Sequence, residues 1–69
     1  MTQRSDNVLS AFDLILDELT IVIGDVNEQG AAYLGRGEYD AAAKTIETGK
    51  QLLSFCNKLD SLRNEWESV

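Results

Sequence analysis

Few side chains in this sequence could take part in catalysis, and their spacing does not bring them together. Histidine is absent from the 69 residues, which removes the commonest general base and the commonest zinc ligand. Asp13 and Asp17 are four residues apart and would share a helix face, but no third ligand accompanies them. Cys56 lies on an apolar stripe, where burial is expected rather than reactivity. GRGEYD, at 35–40, lacks the lysine and the preceding strand of a phosphate-binding loop. We therefore predict a protein that is not an enzyme and binds no cofactor or metal.

The segment YLGRGEYD, at 33–40, carries the residue types that are enriched where proteins bind each other. A bend between helices needs no arginine, so we interpret Arg36 as a contact residue. Tyr33 continues an apolar seam and is expected to pack between helices. Tyr39 could either pack there or contact a partner. The predicted partner-binding residues are Arg36, Tyr39, Glu38, Asp40 and Glu28.

The charge of the chain is acidic and unevenly distributed. Twelve acids against six bases give a net charge of −6, so direct nucleic-acid binding is not expected. No lysine or arginine lies between Arg4 and Arg36, and the acids of that interval predict an uncompensated ridge on the first helix. Such a ridge could meet a basic partner, or it could serve solubility alone. Its members are Asp13, Asp17, Glu18, Asp25 and Glu28.

The apolar spacing predicts a single helical-hairpin domain over 1–69. A first helix is expected over about 6–34, with Ser5 as its N-cap. Gly35 and Gly37 then allow a turn at 35–37, and a second helix is expected over about 38–67. Gly24 and Gly30 leave open an interruption of the first helix, which would give three helices. The seam of the first helix is predicted at Val8, Phe12, Ile15, Leu19, Val22, Val26 and Tyr33.

The second helix carries apolar residues on two different faces. On one face, its first half presents Tyr39, Ala42, Ala43, Ile46, Gly49 and Leu53. On nearly the opposite face, its second half presents Leu52, Phe55, Cys56, Leu59, Leu62, Trp66 and Val69. Supercoiling drifts by only about 20° per heptad and cannot join these faces. The helix is therefore expected either to bend at Gly49 or to meet different neighbours with its two halves.

An isolated hairpin cannot cover this much apolar surface. Small chains compensate with disulfides, metals or oligomerisation, and one cysteine excludes an internal disulfide. We predict an all-α, homodimeric four-helix arrangement. A hairpin cut from a larger protein is the alternative, and the opening Met1 favours the dimer. The dimer and core candidates are Ile15, Leu16, Leu19, Val22, Ile23, Leu59 and Trp66.

Neither a membrane-spanning run nor a signal peptide is evident, so the expected location is the cytoplasm. The single cysteine fits such a reducing compartment.

AAYLGRGEYDAAAKTI, at 31–46, resembles the bend of a tetratricopeptide-type helical pair, although the chain lacks the period of about 34 residues of that repeat. The segment 37–69 is similar to a helical-hairpin module of bacterial proteins that accompanies DNA-related domains. That similarity rests on Gly37, Tyr39, Ala42, Leu52, Phe55, Leu59, Leu62 and Trp66.

In length, acidity and organisation the chain also resembles the phage-encoded quorum-sensing anti-activators, which are small helical-hairpin dimers. The resemblance implies binding to the DNA-binding domain of a host LuxR-type transcriptional activator, which blocks its access to promoters. It also implies a second partner, the type IV pilus assembly ATPase, whose inhibition excludes superinfecting phages, and a location in the host cytoplasm. Two alternatives remain: an acidic DNA mimic that inhibits a restriction or CRISPR nuclease, and a plain dimerisation module.

Overall fold

The protein is a two-helix hairpin, as the sequence predicts. The computed structural model describes the backbone of residues 2–68 and the side chains of residues 6–68. Helix α1 spans Thr2–Gly35 and helix α2 spans Tyr39–Ser68. They pack along their length into a rod with principal extents of 54 × 15 × 9 Å. Over the described residues, neither helix contains an apolar stretch that could cross a bilayer.

The helix bounds differ slightly from those expected. Helix α1 begins about one turn before the predicted position, so Ser5 is a helical residue rather than the N-cap. The side chain of Ser5 lies outside the described residues, as does all of Val69. Gly24 and Gly30 do not interrupt α1, which runs through both, so the three-helix alternative is wrong. Packing against α2 compensates for the low helix propensity of glycine.

The turn is closed by a Schellman motif. The Glu38 N–H donates to the Tyr33 carbonyl at 2.9 Å, and the Gly37 N–H donates to the Leu34 carbonyl at 3.1 Å. Gly37 has a φ of 77°, a left-handed conformation that disfavours any residue with a Cβ. Helix α2 then starts at once, because the Glu38 carbonyl accepts the Ala42 N–H at 2.9 Å. Three residues, 36–38, therefore suffice to reverse the chain.

Helix α1 contacts α2 through residues that alternate three and four apart. Every member of this seam is half-buried or buried, which is the pattern of a heptad repeat. The predicted seam is correct at Phe12, Leu19, Val26 and Tyr33, and its first member, Val8, is half-buried one residue before the seam position Leu9. It is wrong at Ile15 and Val22, which are exposed, and their neighbours Leu16 and Ile23 occupy the seam instead. The observed seam is Leu9, Phe12, Leu16, Leu19, Ile23, Val26, Gly30 and Tyr33.

Helix α2 keeps one continuous seam and meets only α1 with it. Gly49 does not interrupt α2, which is a single helix with that glycine buried on the seam. Two polar residues complete the heptad pattern. The Thr45 hydroxyl donates to the Ala41 carbonyl at 2.8 Å, and Arg63 extends from the seam to acidic residues at its edge. The seam of α2 is Ala42, Thr45, Gly49, Leu52, Cys56, Leu59, Arg63 and Trp66.

Two glycines set the antiparallel register by letting the helices approach closely. A Cβ on Gly49 would lie 3.2 Å from Asn27 Oδ1, and one on Gly30 would lie 3.4 Å from Ile46 Cγ1. These contacts place the turn-proximal half of α2 against the turn-proximal half of α1. Continuing the register at 1.5 Å per residue brings Leu16 level with Leu59.

Candidate interaction surfaces

The hairpin is a flat slab, so it presents one broad surface on either side of the seam. Residues that come directly after a seam residue lie on one side in both helices. Examples are Asp13, which Arg63 of the seam reaches, and Ile46, which adjoins Gly30 of the seam. Residues that precede a seam position meet on the other side, where Gln29 and Thr48 line a common shallow hollow. We call these sides the back face and the front face, respectively.

The front face is apolar in the half of the rod that lies away from the turn. Ile15 and Val22 of α1 and Phe55 and Leu62 of α2 are all exposed there, Phe55 to 51%. Leu62 also lines a hollow with Phe12 and with Trp66 of the seam. Both helices contribute large aliphatic or aromatic side chains, so the patch is continuous across the slab. Of the dimer candidates, Ile15 and Val22 lie on this face.

The remaining dimer and core candidates lie in the hairpin itself. Leu16, Leu19 and Ile23 of α1 are half-buried seam residues, as are Leu59 and Trp66 of α2. Among the side chains of residues 6–68, the only apolar one that is buried outright is that of Ala42, at 2% exposure. Hairpin packing therefore covers only one side of each large seam residue.

The back face is apolar in the opposite half, next to the turn. Tyr39, Ile46 and Leu53 lie seven residues apart along α2, and Leu34 of α1 adjoins the same end. Seven residues are two helical turns, so the three α2 side chains form a straight strip. Farther from the turn this face becomes polar, with Asp13 and Thr20 at the corresponding positions of α1.

At the tip of the hairpin, the Arg36 side chain contacts both Glu38 and Tyr33. Its Nε donates to Glu38 Oε2 at 2.6 Å, and its guanidinium carbon lies 5.1 Å from the centroid of the Tyr33 ring. The hydrogen bond to Glu38, followed by the charge of that carboxylate, raises the pKa of Arg36 above its usual value. The Arg36 side chain is nevertheless 57% exposed, so its guanidinium is accessible to a partner.

The predicted partner-binding residues are only partly brought together. Tyr39 is 68% exposed, so it does not pack between the helices, whereas Tyr33 is half-buried on the seam as expected. Asp40 is exposed beside Tyr39. Glu28 is also exposed, but it lies about 12 Å along α1 from Arg36, at 1.5 Å per residue. Glu28 thus belongs to the side of the rod rather than to its tip.

The acidic ridge is shorter than predicted. Asp13 is compensated, because Arg63 Nε donates to its Oδ1 at 2.7 Å, and Arg63 Nη1 also pairs with Glu67 at 3.3 Å. The hydrogen bond to Asp13 raises the pKa of Arg63. Within residues 6–68 the other ridge carboxylates form no ion pair. The ridge therefore consists of Asp17, Glu18, Asp25 and Glu28.

Sequence reasoning missed Arg63, which is both a seam residue and the cation that neutralises Asp13. The signal was present in the spacing 56, 59, 63 and 66, which is regular only if an arginine is accepted as a seam residue.

The described residues offer no group of three His, Cys, Asp or Glu side chains that could hold a metal ion. Cys56 is a half-buried seam residue. Comparison of the chain with protein-family models, with curated proteins and with solved structures finds no match.

Proposed function

We propose that the chain functions as a homodimer that contacts its copy through the front face. The observation that carries this is the apolar surface that the hairpin leaves exposed. The accessible surface is 5253 Å², whereas a compact monomer of 7.6 kDa would expose roughly 4,300 Å². The excess of roughly 1,000 Å² is comparable with the ~800 Å² that each partner buries in a standard interface. The front face is the better candidate because each helix supplies two large side chains to it, whereas α1 supplies only Leu34 to the back patch.

The dimer is proposed to be a non-enzymatic inhibitor of a LuxR-type transcriptional activator, and to bind the DNA-binding domain of that activator. A surface that binds DNA is basic, and the acidic ridge would attract it. The tip would then anchor the complex through the exposed ring of Tyr39 and the guanidinium of Arg36, with Glu38 and Asp40 beside them. A rod seated on that domain would exclude the promoter by occupying the same surface.

The proposal extends to a second host partner, the type IV pilus assembly ATPase, in the host cytoplasm. A dimer would have two hairpin tips with the same residues, so it could contact a partner through either of them. Whether the ATPase competes with the activator for one tip is decided by adding both partners to the same dimer and measuring displacement.

The Tyr39→Ala variant tests the assignment of the tip. We expect its helical content by circular dichroism to match that of the wild type, because Tyr39 is exposed. Its affinity for the activator should fall by roughly tenfold or more, as expected for an aromatic anchor. Leu14→Ala is a matched control, because Leu14 is 64% exposed on the outer side of α1.

The readout is the ability of each variant to release promoter DNA from the purified DNA-binding domain. Unfolding of Tyr39→Ala would make the tyrosine structural and overturn the site assignment. A wild-type dimer that leaves promoter binding by LuxR-type activators intact would overturn the function itself. Capture of partners from a host lysate, followed by mass spectrometry, separates this function from a plain dimerisation module.

The unpaired ridge favours one second candidate, a DNA mimic that inhibits a restriction or CRISPR nuclease. Asp17, Glu18, Asp25 and Glu28 would stand in for phosphates, so inhibition would weaken steeply as salt rises. Neutralising Asp17 and Asp25 to asparagine would abolish inhibition of a nuclease while Tyr39→Ala would not. The pairing of Asp13 with Arg63 removes one acid from this mimic.

A further inference from the structure

The front face carries different charges on its two edges. Glu18 and Asp25 of α1 and Lys44 and Lys58 of α2 each come directly before a seam residue, as the apolar front residues do. All four are exposed, and within residues 6–68 none of them forms an ion pair. Glu65, near the end of α2, is the one acid on the α2 edge. The α1 edge is therefore negative, whereas the α2 edge carries both lysines.

Glu18 and Lys58 lie at the same level along the rod. Gly30 of α1 adjoins Ile46 of α2, and 12 residues farther from the turn along each helix lie Glu18 and Lys58. The two side chains belong to opposite edges of the slab, and the helix axes between them are about 10 Å apart. They consequently do not pair with each other in one hairpin, but they are placed to pair between two copies.

Two copies can stack front face on front face in two ways. With the two-fold axis along the rod, α1 of one copy lies on α2 of the other, and both turns are at the same end. With the axis across the rod, each helix lies on its own counterpart, and the turns are at opposite ends. Both ways join the apolar residues Ile15, Val22, Phe55 and Leu62, so the polar residues of the face must distinguish them.

The charges favour the arrangement with both turns at one end. It places Glu18 over Lys58 of the second copy, and the symmetry repeats this contact at the other edge of the interface. In the opposite arrangement the axis must pass through the middle of the apolar patch, which is level with Glu18 and Lys58. Each of these residues would then meet its own counterpart, and contacts between like charges are unfavourable.

The polar residues nearer the turn favour the same arrangement. Gln29 and Thr48 line one hollow of the front face. With both turns at one end, the Gln29 amide lies over Thr48 of the second copy and can donate to its hydroxyl oxygen. That hydroxyl donates its own hydrogen to the Lys44 carbonyl at 3.1 Å. In the opposite arrangement Gln29 would lie over Val8, which is half-buried and offers the amide no hydrogen-bond partner.

We propose that the second copy docks on the front face in the same direction, giving a four-helix bundle with both turns at one end. This inference rests on the front-face dimer of the proposed function and specifies its orientation. The two tips would form one composite surface, to which each copy contributes Arg36 and Tyr39. A partner would thus meet both tips together. Pairing with Lys58 would also remove Glu18 from the acidic ridge.

The distance between the two tips distinguishes the arrangements. Gly35→Cys in a Cys56→Ala background offers one site per chain for a nitroxide label, because Gly35 is exposed and an added Cβ meets nothing within 4 Å. Double electron–electron resonance of the labelled dimer should give a distance of roughly 15–30 Å, since neighbouring helix axes are about 10 Å apart. The opposite arrangement would give roughly 50 Å, at 1.5 Å per residue from the middle of the patch.

A distance near 50 Å would overturn the orientation and leave the front-face dimer standing. Adding Phe55→Glu and Leu62→Glu to the labelled chain should abolish the short distance, because these changes disrupt the front-face contact. If the short distance persists, the copies meet elsewhere, and the front-face dimer fails together with the orientation. A wild-type chain that sediments as a monomer would have the same consequence. These measurements need only the purified chain, so inhibition of the activator is tested separately.

Charge reversal tests the ion pairs without a label. Lys58→Glu would bring two glutamates together at both contacts, so the dissociation constant of the dimer, measured by sedimentation, should rise roughly tenfold. Adding Glu18→Lys should restore the wild-type value. Lys50→Glu is the matched control, because Lys50 is exposed outside the front face, and it should leave the constant unchanged.

In the opposite arrangement, Lys58→Glu would only replace two adjacent lysines by two adjacent glutamates. Equal dissociation constants for Lys58→Glu and Lys50→Glu would therefore overturn the proposed orientation, as would failure of Glu18→Lys to restore the dimer. Because both reversals are made in the otherwise wild-type chain, they decide the orientation even if the labelled chain assembles poorly.

Discussion

At the residue scale, the turn depends on the conformation of Gly37 rather than on its size. A Cβ at this position would meet nothing within 4 Å, but the φ of 77° is a left-handed conformation. Gly35, two residues earlier, is helical and equally open, and its φ is not positive. The two glycines therefore differ in backbone conformation and not in the space around them.

We expect Gly37→Ala to lower the free energy of unfolding by about 1 kcal/mol, the cost of a side chain in the left-handed region. Gly35→Ala should leave it unchanged or raise it slightly, because alanine favours the helix. Urea denaturation at a fixed protein concentration measures both. A loss in Gly35→Ala equal to that in Gly37→Ala would contradict the assignment of the turn.

Arg63 shows how a charged side chain can serve in a seam. Its stem lies between the helices while its head reaches Asp13 and Glu67 at the edge. We expect Arg63→Met to remain folded with a similar or higher urea midpoint, since an apolar side chain of similar length fills the position. Asp13→Asn should lower the midpoint slightly in the wild type and not in Arg63→Met. An equal effect in both backgrounds would show that the pair contributes nothing.

At the element scale, each helix has a seam that fixes how it can pack, and the glycines of α1 and α2 differ in whether they lie on it. Gly24 is exposed, and an added Cβ would meet nothing within 4 Å. Gly49 is buried on the seam against Asn27 and Val26. Glycine thus makes room for a close helix contact at position 49 and is only tolerated at position 24.

Gly24→Ala should raise the free energy of unfolding by about 0.5–1 kcal/mol, because alanine is the better helix former. Gly49→Ala should not gain this stability, since its Cβ would lie 3.2 Å from Asn27 Oδ1 and would force that side chain to move. Thermal or urea unfolding of the two variants compares them directly. An equal gain in both would mean that the helices do not approach closely at Gly49.

At the scale of the whole molecule, the two apolar patches lie on opposite faces and in opposite halves of the rod. The front patch, at Ile15, Val22, Phe55 and Leu62, lies away from the turn, and the back patch lies next to it. One isologous contact can cover only one of them. This arrangement would let the chain pair with its copy at one end and present the other end to a partner.

The double variant Phe55→Glu/Leu62→Glu should convert the proposed dimer into a monomer, because it would place charges in a desolvated contact. Sedimentation equilibrium should then report 7.6 kDa in place of about twice that mass. Leu14→Glu/Ile21→Glu should remain dimeric, since those residues lie on neither face. A well-folded wild-type monomer in dilute solution by light scattering would contradict the dimer.

The hairpin, its turn and most of its helix bounds follow from local signals in the sequence. Apolar spacing of three and four residues specifies helices, and two glycines around Arg36 specify where the first one stops. The absence of histidine also follows directly from the sequence. These features depend on neighbours in the chain, so no knowledge of packing is needed to predict them.

The tertiary structure alone decided which apolar residues pack inside the hairpin and which remain outside. Adjacent positions such as Ile15 and Leu16 are both apolar, and only the register of α2 selects Leu16 for the seam. The seam of α2 could not be recognised from its apolar pattern, because the polar residues Thr45 and Arg63 interrupt that pattern. The ion pair between Asp13 and Arg63 likewise joins residues 50 apart in the chain. It can form only once the two helices are aligned.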